Sequence, residues 1–185
     1  MQQKPEILET RLVARSRLFG VESMQLRFAN GVERTYERLR TPPIPAVMVV
    51  PMLDADTVVM IREYCAGVED YLITLPKGAL DAGEDWREAG NRELQEEVGY
   101  AAGHLEKLKT FSLSPGYMGH HIHAVLAWDL KPSSLPGDEP EPLEVLTWKL
   151  SELEALLERD DCTEARVIAA LYMARERLAE VRPWG

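Results

Sequence analysis

Glu93, Glu96 and Glu97 stand directly after Arg92. A helix turns about 100° per residue, so the three carboxylates fall within an arc of roughly 100° while Leu94 and Val98 point away from it. Like charges at these spacings repel by roughly 0.3 kcal/mol per pair. The cluster therefore asks for a cation. Magnesium answers that need, because it prefers carboxylate oxygens, keeps several waters and completes its shell with substrate phosphates. Arg92 adds a planar fork that can aim a neighbouring carboxylate. Gly99 suits a left-handed cap just past the last glutamate. The competing reading is a solvated acidic helix face, the usual meaning of a charge run.

The wider spacing decides between them. Gly78, Glu84, Arg92, Glu93, Glu96, Glu97 and Gly99 occupy every fixed position of Gly-x5-Glu-x7-Arg-Glu-U-x-Glu-Glu-x-Gly-U, where U is a bulky apolar residue; Leu94 fills the first U and Tyr100 stands at the second, where an aliphatic is more usual. Seven such coincidences at about 7% usage each have a chance probability on the order of 10⁻⁸ per start position. The stretch resembles the Nudix box. The resemblance implies a Nudix hydrolase, which cleaves a pyrophosphate in a nucleoside diphosphate linked to another moiety. It also implies an α/β fold with a mixed β-sheet sandwiched between helices.

Those residues need a scaffold, and the chain predicts one. Val21 to Phe28 and Val32 to Leu39 flank Asn30-Gly31, a strong hairpin signal. Thr41-Pro42-Pro43-Ile44-Pro45 then breaks regular structure and marks a linker. The expected division is therefore a small N-terminal β unit, 1–45, and a main domain, 46–185. Ala46 to Met52 and Thr57 to Tyr64 read as strands around Asp54-Ala55-Asp56, and Tyr71 to Leu75 leads into Pro76-Lys77-Gly78. Leu105 to Leu113 and His121 to Leu130 read as strands joined by Ser114-Pro115-Gly116-Tyr117. The segment 131–142 is proline-studded, acidic and irregular, and Leu143 to Trp148 is a further strand. Ser151 to Glu154 has capping-box spacing, and an amphipathic helix is expected from about Thr163 to Glu180 with Val167, Leu171, Ala174 and Leu178 inward.

A short β unit ahead of the box is similar to the ADP-ribose pyrophosphatase-like branch of the family, as is the Arg-x-Tyr of Arg62 and Tyr64. With Val13 to Phe19, Glu63-Tyr64, Asn91-Arg92-Glu93 and Gly137 to Pro142, the chain resembles from end to end the proteobacterial type that hydrolyses ADP compounds. The resemblance implies ADP-ribose, NADH and diadenosine triphosphate as substrates, AMP as common product, and a two-fold homodimer built partly by the first unit. In the loop after the box, a proline goes with ADP-ribose and a tyrosine slightly farther on with dinucleoside polyphosphates; this chain has both, as Pro115 and Tyr117. Leu72 and His120 depart from the branch, which commonly carries acidic residues there.

The roles carried over are these. Glu93, Glu96 and Glu97 hold Mg2+, for which Mn2+ or another divalent cation can substitute, with a backbone carbonyl near Lys77 or Gly78 completing the shell. Arg92 orients Glu93, and Glu84 pairs with Arg92. Arg62 contacts a substrate phosphate or forms a surface salt bridge; Pro115 and Tyr117 belong to substrate binding. The general base is Glu139 or Glu141 on the acidic loop, with Glu139 preferred. Two rivals stand beside the main reading, a nucleotide-sugar pyrophosphatase and a non-catalytic Nudix domain that binds an ADP-containing ligand. Erosion of the three glutamates would mark the latter, and all three are present.

Composition limits the partners. The net charge of −10 opposes nucleic acid, and no local basic patch offsets it. Cys65 and Cys162 are too few for a disulfide framework or zinc motif and are expected as reduced thiols. His120, His121 and His123 lack a cysteine or glutamate spacing that would complete a metal set. No signal-peptide core or membrane-length apolar run occurs, so the expectation is a cytoplasmic protein without a membrane partner.

Overall fold

The computed structural model describes residues 3–40, 44–181 and 183–184. It divides into two compact units, one reaching to Ile44 and including Ser112–His121, the other comprising Pro45–Phe111 and the chain from Ile122. Thr41 to Pro43, most of the expected linker, lie outside the described residues.

The first unit is a three-stranded antiparallel sheet ordered β1 (Glu6–Arg15), β2 (Gly20–Arg27), β3 (Glu33–Arg40). The expected hairpin is β2–β3. Gly31 takes φ of 79°, and the Asn30 side chain accepts the Val32 N–H at 3.1 Å. Strand β1 escaped the sequence reading. Its register shifts between Ile7 and Glu9 and between Leu12 and Ala14, so the alternation that marks a strand is broken twice.

In the second unit β4 (Ala46–Pro51) is buried at every residue. Such a strand needs cover on both faces. It lies inside a four-stranded sheet ordered β7 (Lys77–Ala79), β4, β9 (His121–Pro132), β8 (Tyr100–Ser112), parallel to β9 and antiparallel to β7. The sheet is mixed. Strand β5 (Thr57–Cys65) follows a turn held by Asp54, whose carboxylate accepts the Asp56 and Thr57 N–H groups at 2.9 and 2.8 Å. Beyond one Met52–Val58 bridge it leaves β4 and enters a second antiparallel sheet, β10 (Glu144–Lys149), β5, β6 (Asp70–Thr74).

Helix α1 (Trp86–Glu93) packs where the sheets meet, with Ala89, Leu94 and Val98 joining Val47, Val49, Val59, Ile61 and Val125 in one core. Helix α3 (Ala165–Val181) buries Val167, Ala170, Leu171, Ala174 and Leu178, as its periodicity predicts. The capping box expected at Ser151 is not formed. A 3₁₀ turn, Leu150–Glu152, precedes α2 (Leu153–Leu157), and Ser151 instead donates its N–H and hydroxyl to Asp56 at 2.7 and 2.8 Å. A carboxylate from the β4–β5 turn accepts both donors and outcompetes the local cap.

Candidate active site

Asp85 starts α1. Its carboxylate accepts the Arg87 and Glu88 N–H groups at 2.7 and 3.0 Å, and Glu88 returns a bond to the Asp85 N–H. This capping box sets where the helix begins, hence which turn carries the glutamates. After Glu93 the helix widens into a π turn, Leu94–Val98, that ends on Gly99 with φ of 75° and its N–H on the Leu94 carbonyl. The sequence predicted the glycine cap but an unbroken α-helix. π turns concentrate at functional sites, and here Leu94 and Val98 are buried while Glu93, Glu96 and Glu97 line one cavity.

Arg92 organises those carboxylates. Its guanidinium donates to Glu93 at 2.7 Å, to Glu96 at 2.9 Å, to both oxygens of Glu84 at 3.0 and 3.1 Å, and to the Ala79 carbonyl at 3.0 Å. The fork aims two candidate metal ligands and ties the preceding loop to the helix through Glu84, whose carboxyl it holds below its ordinary range. Gly78 is forced by close approach: a Cβ there would lie 2.0 Å from Glu93 Oε1. Glu97 accepts the backbone N–H of Lys77 at 3.0 Å, and the Lys77 ammonium pairs with Glu63 of β5.

Burial acts against ionising two of these carboxylates, Glu93 and Glu97. It pushes the Glu97 carboxyl up to about 8, with Lys77 opposing and Glu93 adding to the rise. Glu93 is also raised, by burial against the pull of Arg92. Among the described residues, no group of three or more His, Cys, Asp or Glu side chains is already gathered in metal-ligand geometry. The donor set nevertheless fits a hard divalent cation, because it is all oxygen, partly desolvated and short of positive charge.

The cavity has a volume of about 280 Å³ and is lined also by the loop Gly137 to Leu143, so Glu139 and Glu141 share it with the three glutamates. The structure thus brings Glu93, Glu96, Glu97 and Glu139 together, the last two lying 42 positions apart in the chain. Arg62, expected at a substrate phosphate, instead divides its fork between Glu144 at 3.0 Å and Asp161 at 2.8 Å. Pro115 and Tyr117 belong to the first unit, where the Tyr117 carbonyl accepts the Leu39 N–H at 2.7 Å. Sequence reasoning missed Glu63, the Lys77 side chain and Tyr71, whose hydroxyl donates to Glu141 at 2.5 Å. Hairpin register could have found Tyr71, since a hairpin closing at Cys65 and Asp70 sets it opposite Tyr64.

Both cysteines are free thiols, Cys162 buried and Cys65 partly so. Among the described residues, no helix is long and apolar enough to cross a membrane.

Comparison with known proteins places this geometry in context. Residues 42–171 match the NUDIX domain, and residues 5–38 match the NudE-type Nudix hydrolase N-terminal domain. The ADP compounds hydrolase NudE of Escherichia coli is 51% identical over 95% of this chain and 94% of its own. The methanol dehydrogenase activator of Bacillus methanolicus is 30% identical over 90% of each. A crystal structure of an ADP compounds hydrolase superposes with a TM-score of 0.91 at 49% identity, covering 97% of this chain and 96% of that one.

Proposed function

The chain belongs to the Nudix hydrolase family and is a pyrophosphohydrolase of it, and from that premise we propose that it hydrolyses the diphosphate of ADP-ribose, NADH and diadenosine triphosphate with a divalent metal, releasing AMP. Action on ADP-containing compounds follows from the similarity over nearly the whole chain. One observation carries the site assignment: three glutamates, two of them aimed by Arg92, share a single cavity with the loop that bears Glu139.

Glu93, Glu96 and Glu97, with the backbone at Gly78, would hold magnesium, which when bound relieves charge on the diphosphate and acidifies the attacking water. Arg92 keeps two of these carboxylates in place, and Glu84 keeps Arg92 in place. Glu139 takes the proton of the attacking water, and its loop closes the cavity over the diphosphate. Pro115 and Tyr117 serve the adenosine half; Arg62 could reach a phosphate only by giving up Glu144 or Asp161. The protein works in the cytoplasm as a homodimer, without a nucleic acid or membrane partner.

The purified protein should be incubated with magnesium and, separately, ADP-ribose, NADH, diadenosine triphosphate and ADP-glucose in ¹⁸O water, and the products resolved by mass spectrometry. AMP should appear from the first three, carry the solvent label, and vanish with a chelator. Turnover confined to ADP-glucose would favour a nucleotide-sugar enzyme. Label found only in ribose 5-phosphate from ADP-ribose would move the water to the other phosphorus and remove the case for Glu139.

A further inference from the structure

Next to the acidic cavity lies a second one of about 300 Å³, bounded by Arg62, Glu63, Tyr64, Tyr71 and the far side of the Glu139 loop. The two share that loop, from Glu139 to Leu143, as a common wall. They are also joined through Lys77, whose N–H serves Glu97 on one side and whose ammonium serves Glu63 on the other. Tyr64 and Tyr71 are opposed across the β5–β6 ladder and meet edge to face, centroids 5.5 Å apart at 64°. Tyr71 is fixed by its bond to Glu141. Tyr64 is 53% exposed and presents an open ring.

The charge in this chamber limits what enters it. Arg62 is neutralised by Glu144 and Asp161, and Lys77 by Glu63, while Glu139 and Glu141 add negative charge. A phosphate is repelled. An uncharged planar ring is accepted, since an aromatic face stacks on any base. We propose that this chamber is a subsite for the second base of a dinucleotide substrate, with Tyr64 as stacking platform and Tyr71 as wall. The inference rests on the hydrolase reading above and deepens it: the chamber separates substrates with a ring at both ends, diadenosine triphosphate and NADH, from ADP-ribose, which has one.

The test is a selectivity ratio, kcat/KM for each dinucleotide divided by kcat/KM for ADP-ribose, with magnesium present. Tyr64→Ala should lower this ratio roughly tenfold, the loss of one stacked base. Tyr64→Phe, which keeps the ring, should restore it. Thermal melting of both variants shows whether either unfolds, and the ratio cancels any loss common to all substrates. An unchanged ratio in Tyr64→Ala overturns the subsite, as does a ratio that fails to recover in Tyr64→Phe. Wild-type protein that releases AMP from none of the three would instead overturn the hydrolase reading itself, and the subsite with it.

Discussion

Glu97 carries two opposed demands, burial that favours the neutral acid and metal binding that needs the carboxylate. Glu97→Gln keeps the volume and an acceptor for the Lys77 N–H but removes the charge, so the fold should persist while kcat at saturating magnesium falls about 10³-fold, near 4 kcal/mol of lost charge stabilisation. Steady-state rates beside circular dichroism check this, and turnover near wild type would end the metal assignment. The same group sets a pH dependence. Its folded pKa, about 8, lies above the ordinary 4.5, so the folded state binds the proton more tightly than the unfolded chain does across that interval. The contribution of this group to the stability of the metal-free protein is therefore fully present below about pH 4.5 and lost as pH rises through about 8. Glu93 acts in the same direction. The carboxylates held down by partners, Glu84 and Asp161 among them, exert their effect only at lower pH. Melting of the metal-free protein should drop between about pH 5 and about pH 8, and magnesium should raise the midpoint more at the higher pH, where no proton must leave first.

At the scale of elements, the site is a junction between α1 and β7. Gly78 on β7 lies under the Glu93 carboxylate so closely that any side chain displaces it. Gly78→Ala should therefore cost activity at least as much as loss of one ligand, about 10²-fold or more, while β7, a short strand, limits the fall in melting temperature to a few degrees, roughly 1 kcal/mol. Activity retained with unchanged magnesium dependence would show that Glu93 is free to move. The π turn works with this contact, because it buries Leu94 and Val98 while Glu96 and Glu97 keep lining the cavity. The β5–β6 hairpin bounds the neighbouring chamber, its register setting Tyr71 where it meets Glu141 of the acidic loop.

For the whole molecule, the first unit raises the question of assembly. Its sheet buries only Met24 among the core hydrophobics, while Ile7, Leu12, Leu18, Phe19 and Tyr36 stay exposed. A three-stranded sheet so open gains little by itself and gains more by covering those residues with a second copy across a dyad. Sedimentation at micromolar concentration should give a dimer; a fully active monomer would remove this reading.

Chemistry was legible in the chain because it depends on residue types at fixed short spacing. The glutamates after Arg92 and the Gly99 cap follow from helical periodicity, which is local, and the Glu84–Arg92 pair from the family resemblance of the motif. So do the buried runs of β4 and α3, whose hydrophobic patterns are strong. Strand β1 was hidden because two bulges erase its alternation. The Ser151 cap failed because Asp56, nearly a hundred residues earlier in the chain, offered a better acceptor. Tertiary structure alone decided that Arg62 faces Glu144 and Asp161, that the Glu139 loop shares a cavity with the three glutamates, and that Tyr64 and Tyr71 open a second chamber beside it. Each of those depends on which strands enter which sheet. That is set by how β4 and β5 bury their apolar faces in different layers, a competition over the whole core that no local spacing records.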